Sequence, residues 1–135
     1  MTTTKTILVV EDDEALRLLV KKVLESHGYV VRQGEDAVSA SANSRYHGGI
    51  VDLLLADINL PGLTGGEYAE FLRSYNANLK VLYMSGSLED GLVRTHLRNK
   101  TATFIQKPFT NDELMISVKK ALGEIPDTSG DQDAD

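Results

Sequence analysis

Four short stretches of this chain run into groups capable of chemistry. ILVV (7–10) leads into Glu11-Asp12-Asp13, and DLLLAD (52–57) finishes on Asp57, with Asn59 two residues on. KVLYMS (80–85) finishes on Ser85, and TFIQ (103–106) leads into Lys107-Pro108. Carboxylates gathered at one place raise one another's pKa unless a cation joins them. Oxygen ligands with neither His nor Cys among them suit a hard ion such as Mg²⁺, which commonly takes carboxylates, waters and a phosphate oxygen. Lys107 and the Ser85 hydroxyl serve such an ion poorly but suit an incoming phosphoryl group: one pairs with its oxygens, the other donates to them. Asp57 is then a candidate nucleophile, since carboxylates form aspartyl-phosphate intermediates.

Taken singly, each group has a plainer role. Asp57 opens a stretch, 57–62, crowded with Asp, Asn, Pro and Gly, the residues of turns. Asp12 and Asp13 can cap the helix that follows, and capping is the expected role of Asp13. Ser85 can be a loop serine, and Lys107 a surface residue. Only their joint position, each at the end of a candidate strand, favours the chemistry.

The elements that would hold them are readable. The five apolar, β-favouring runs are ILVV (7–10), YVVR (29–32), DLLLAD (52–57), KVLYMS (80–85) and TFIQ (103–106). Several are continuous rather than alternating, as strands covered on both faces are. Between them, EALRLLVKKVLESHG places Leu16, Leu19, Val20, Val23 and Leu24 on one helical face, with Gly28 at a left-handed stop. TGGEYAEFLRSY opens with the capping box Thr64-x-x-Glu67 and presents Tyr68, Phe71, Leu72 and Tyr75. TNDELMISVKKALG repeats the box with Thr110-x-x-Glu113 and turns Leu114, Val118, Ala121 and Leu122 inward. Two weaker helices are expected: 35–47, with a face of small residues, and 88–99, which contains Gly91. Strands alternating with helices imply an α/β fold, a five-stranded parallel sheet with helices on both faces and right-handed crossovers. Ligands of such sheets bind outside the carboxyl ends of the strands, where all the candidate groups fall.

Composition excludes other classes. With 135 residues, 41% apolar and 25% charged, the chain fits one domain. It has no cysteine, hence no disulfide, thiolate or zinc knuckle. Of the net charge of −6, five acids and no base fall in residues 123–135, leaving fifteen acids against fourteen bases before them. A nearly neutral body carries no electrostatic footprint for nucleic acid or an anionic membrane. The tail, 123–135, reads as disordered. No apolar run approaches a membrane span or a secretory signal, so a cytoplasmic location is expected. His27 closes a helix, His47 and His96 fall on polar segments, and all three are expected at the surface. Neither GxxxxGK[ST] nor GxGxxG occurs.

ILVVEDD, LLLADINLPGLTG, VLYMSG and FIQKPF, in this order and at these separations, resemble the receiver domains of response regulators, the CheY-like family of two-component signalling. The resemblance covers residues 6–122 and implies the flavodoxin-like strand order 2-1-3-4-5, with a receiver unit at 1–122. It implies Mg²⁺, with Mn²⁺ able to substitute, held by Asp12, Asp57 and the backbone carbonyl of Asn59, with Glu11 acting through water. It makes Asp57 the phosphorylated residue, Lys107 the partner of the phosphoryl oxygens, and Ser85 the hydroxyl that follows the phosphoryl group. Phe104 matches the switch aromatic, and the Lys107–Pro108 bond is expected to be cis. This sequence has Glu11 where Asp is common, Ser where Thr is common and Phe where Tyr is common; no chemical role is lost.

The expectation is a signalling phosphoacceptor rather than an enzyme. A histidine kinase or histidine phosphotransfer protein would donate to Asp57, and the signal would leave through the surface of the 88–99 helix, the fifth strand and the last helix. Asn59 and Ser87 are candidates for setting the phosphate's lifetime. A monomer or weak dimer is expected, either free-standing or carried by a longer protein such as a hybrid kinase. Two alternatives compete: a receiver-fold binding module that works without phosphorylation, and a small haloacid-dehalogenase-like phosphatase. The phosphatase needs a second acid two residues after its nucleophile, where this chain has Asn59.

Overall fold

A computed structural model of the chain describes residues 4–46, 50–87, 91, 94 and 103–125. Five strands, β1 (Thr6–Val10), β2 (Val30–Gly34), β3 (Leu53–Asp57), β4 (Lys80–Ser85) and β5 (Thr103–Gln106), form one parallel sheet in the order β2-β1-β3-β4-β5. The helices are α1 (Glu14–Ser26), α2 (Ala37–Tyr46), α3 (Gly65–Arg73) and α4 (Asn111–Ala121). The expected 88–99 helix lies outside the described residues except for Gly91 and Arg94, both helical. His47, His96 and residues 126–135 also lie outside them. Among the described residues, no helix is long and apolar enough to cross a membrane.

Successive side chains of a strand point to opposite faces, and here both faces are covered. Ile7, Val9, Leu53, Leu55, Leu82, Met84 and Ile105 pack with Val20, Val23 and Leu24 of α1 and Leu114, Met115 and Val118 of α4. Leu8, Val10, Leu54, Ala56, Val81 and Tyr83 pack with Ala37 and Ala40 of α2 and Tyr68 and Ala69 of α3. Burial on both faces is why the strands read as unbroken apolar runs.

The helix signals act as expected at their ends. Both capping boxes close: Thr64 with Glu67, and Thr110 with Glu113. Asp13 is the N-cap of α1, accepting from Leu16 N at 3.2 Å, and Gly28 follows the helix at φ +91°. His27 caps its C-terminus at the surface.

The buried faces are narrower than the spacing predicts. Leu19 is 51% exposed, Phe71 44% and Tyr75 79%. A stripe of 3.6-residue spacing marks a direction, and residues on its flank stay outside when a helix meets a flat sheet. Tyr75 also lies past the end of α3, where the helical spacing no longer applies. Strand bounds differ by a residue or two in β1, β2 and β3. β2 continues to Gly34, whose carbonyl accepts from Glu11 N at 3.1 Å. Asp52 stands before β3, with its side chain accepting from Thr6 N at 2.8 Å.

The small face of α2 allows a close approach to the sheet. A methyl group on Gly34 would stand 2.6 Å from the Cα of Ala40. Gly34→Ala is therefore expected to cost about 1–3 kcal/mol, because backbone must move. Urea unfolding should show this as a lower midpoint at unchanged slope. Gly86→Ala, whose methyl meets nothing within 4 Å, is the control and should stay within about 0.5 kcal/mol.

Candidate functional site

The face of the sheet that carries Ile7 and Val9, Leu53 and Leu55, and Ile105 continues past its apolar rows into Glu11, Asp57 and Lys107. Each follows the last apolar residue of its row by two positions, the period that keeps a side chain on one face. β5 lies two strand spacings from β3, about 10 Å, and three from β1, about 14 Å. A long side chain is needed to cross that gap, and Lys107 crosses it. Its Nζ donates to Oδ2 of Asp57 at 2.7 Å and to Oε1 of Glu11.

The electrostatics follow from burial. Glu11 is 1% exposed. Burial pushes its carboxyl above the ordinary carboxylate value, and the hydrogen bonds from Lys107 and the Asp13 N–H only partly bring it back. Burial works against the Lys107 ammonium too, but its hydrogen bonds to Asp57 and Glu11, and their charges, outweigh this and raise its pKa.

Asp57 combines the two roles that its surroundings suggest. Its Oδ1 accepts from the Asn59 N–H at 2.8 Å, closing the turn, while its Oδ2 takes Lys107. The turn is pressed down by α3. A methyl group on Gly65 would stand 2.6 Å from the carbonyl oxygen of Asp57 and 3.0 Å from the Cα of Ile58. Gly65 N donates to Ile58 O at 3.0 Å. Gly65 therefore helps to place Asp57, and its signal in the sequence is the Gly-Gly pair of TGGE.

One carboxylate oxygen from each of Glu11, Asp12 and Asp57 lies within 4.8 Å of the others. An all-oxygen set that close together, with Asp12 exposed to solvent, fits a hard divalent cation.

Asp57 pairs in register with Met84, and Ser85 with Gln106, so Ser85 and Lys107 flank the same rim. Lys107 N donates to Ser85 O at 2.7 Å, and the Lys107–Pro108 bond is cis. The Ser85 side chain is 1% exposed and engaged in its own loop: Oγ donates to Ser87 O at 2.8 Å and accepts from Ser87 N at 3.2 Å. Phe104 is half-buried, its ring centroid 5.3 Å from that of Tyr83. Burial pushes the Tyr83 phenol up to about 12. Glu11, Asp12, Asp57, Asn59 and Lys107 are thus brought together, with Ser85 and Ser87 at the same rim and Phe104 one layer behind it.

Known proteins with the same pattern agree. The family model for the response regulator receiver domain matches residues 7–119. The transcription factor SKN7 of Candida albicans is 34% identical over 119 residues, which are 86% of this chain and 20% of that protein. The sensor kinase CckA of Brucella abortus is 32% identical over 117 residues, 87% of this chain and 12% of that protein. This chain therefore spans a fifth or less of those two relatives. The crystal structure of a CheY-like response regulator receiver domain protein from Methanospirillum hungatei superposes with a TM-score of 0.76 at 31% identity, covering 90% of this chain and 96% of that one. A parallel sheet in the order 2-1-3-4-5, an acidic cluster crossed by a lysine at its carboxyl edge, and a family match over nearly the whole described body make this chain a member of the response regulator receiver domain family, the phosphoacceptor domains of two-component signalling.

Proposed function

We propose that Asp57 is the residue phosphorylated, in a receiver unit of residues 1–122 followed by the acidic tail. The observation carrying this reading is that Lys107 reaches across β4 to bond Asp57 and Glu11 together. A carboxylate oxygen of Asp57 attacks the phosphorus of a phosphohistidine on a histidine kinase or phosphotransfer protein. A P–O bond forms, the P–N bond breaks, and its electron pair leaves with the imidazole. Lys107 holds Asp57 in place beforehand and is positioned to pair with the phosphoryl oxygens afterwards, so the protein's part is orientation and electrostatics. Glu11, Asp12, Asp57 and the Asn59 carbonyl would hold Mg²⁺, with Glu11 acting through water. Bound there, the ion supplies positive charge beside the transferring group.

The phosphoryl group would carry about −2 charge at neutral pH. For the Ser85 hydroxyl to donate to it, the bond to Ser87 O must break. That exchange, coupled to Phe104 beside Tyr83, biases the surface of β5, α4 and the 88–99 segment toward its signalling form. Asn59, whose N–H already touches Asp57, and Ser87, which holds Ser85, set the lifetime of the aspartyl phosphate.

Intact mass after incubation with acetyl phosphate and Mg²⁺ should show one added phosphoryl group on the wild type and none on Asp57→Asn. Equal labelling of both proteins, or no labelling together with no Mg²⁺ binding, overturns the assignment. Lys107→Ala should leave Glu11 buried without its ammonium and cost on the order of 3 kcal/mol near neutral pH. Because the neutral form of a buried carboxyl is favoured, that loss should shrink as pH falls and Glu11 takes up a proton. Urea titrations of the two proteins at several pH values read it directly.

A further inference from the structure

The acidic pair after β1 sits on a peptide that a side chain grips. β1 last reaches β2 through Glu11 N, and the chain then turns into α1, taking the Glu11 carbonyl out of the ladder. Arg17, one turn into α1, takes that carbonyl: its Nη1 donates to Glu11 O at 2.8 Å. The Nε of the same guanidinium donates to Oε1 of Gln33, on β2, at 3.0 Å. One planar group thus ties the helix, the Glu11–Asp12 peptide and the edge strand together. That peptide joins two of the three carboxylates in the cluster.

Asp12 is the exposed member, so packing does little to hold it. Its carboxylate lies within 4.8 Å of two others, and their repulsion favours its swinging outward to water. Beyond its side-chain contact with Glu11, what opposes this is the placement of its backbone. We infer that Arg17, buttressed by Gln33, is a positioning residue for the cation site, holding the Glu11–Asp12 peptide so that Asp12 stays beside Asp57. This rests on the reading of Glu11, Asp12 and Asp57 as the groups that hold the cation. Arginine suits the task because its rigid fork serves two acceptors at fixed geometry, which a lysine ammonium does not reproduce.

The sign of the effect separates positioning from charge. A positive group near a cation site repels the cation. Were Arg17 only a charge, removing it would tighten Mg²⁺ binding, and Arg17→Lys would change nothing. As a positioning residue, both substitutions weaken binding.

The test is calorimetric titration of the full chain with Mg²⁺, for wild type, Arg17→Lys, Arg17→Ala, Gln33→Leu and the Arg17→Ala/Gln33→Leu double variant. Thermal unfolding and amide exchange at Asp13 in Mg²⁺-free buffer accompany it. Both Arg17 variants should raise Kd by about 10–100-fold and Gln33→Leu by less. The double variant should match Arg17→Ala, because both remove one link. The Asp13 amide, bonded to Glu11 Oε2, should exchange faster without any ion present. If Arg17→Ala does not fold, Arg17→Lys and Gln33→Leu decide the matter. A Kd within about twofold of wild type, or lower, in the folded variants overturns the proposal, even if their melting points fall. A wild type that binds no Mg²⁺ overturns the cation-site reading, and this inference with it.

Discussion

Glu11 brings a carboxylate to a place where 1% of its surface meets water, within 4.8 Å of two others. Lys107 makes that arrangement tolerable. At partial burial, charges about 4 Å apart interact by on the order of 4 kcal/mol, attractive or repulsive by sign. One ammonium bonded to two acids therefore sets two attractions of that size against the one repulsion between those acids. Burial holds the Glu11 carboxyl above its ordinary value, and a hard cation beside the three carboxylates would favour their charged forms.

The rest of the fold can be understood as what brings those groups within reach. Parallel pairing puts every strand's carboxyl end on one edge, and the order β2-β1-β3-β4-β5 places β3 between the acids of β1 and the lysine after β5. Two clusters of buried side chains, one per face, pack the sheet beneath that edge. Backbone contacts then refine it: α3 rests on the Asp57–Ile58 backbone because Gly65 lacks a side chain, and the Asn59 N–H orients Asp57. Two further side chains lie close by, with Ser85 bonded into its own loop and Phe104 lying against Tyr83.

Local signals in the sequence were reliable where a single contact decides the outcome. The Thr-x-x-Glu boxes close because both partners lie three residues apart on one chain. Asp13 caps α1 for the same reason. Helix faces were less legible. The spacing of Leu19 and Phe71 matches their buried neighbours, yet both stay at the surface. How much of a helix is covered depends on what lies against it, and periodicity carries no record of that. Gly34 and Gly65 were likewise silent, because the reason for each is a backbone distant in sequence or hidden round a turn.

By itself the sequence determined the chemistry available to this protein: which acids, which hydroxyl and which ammonium stand at the ends of which apolar runs. It determined the fold class too, since unbroken apolar strands between amphipathic helices can bury both faces only as a covered parallel sheet. The tertiary structure alone decided that Lys107 serves Glu11 as well as Asp57, and that Arg17 reaches both Glu11 and Gln33. Those contacts join residues on different strands and helices. Their geometry depends on strand order, register and the twist of the sheet, which are set by packing across the whole domain rather than by any local stretch.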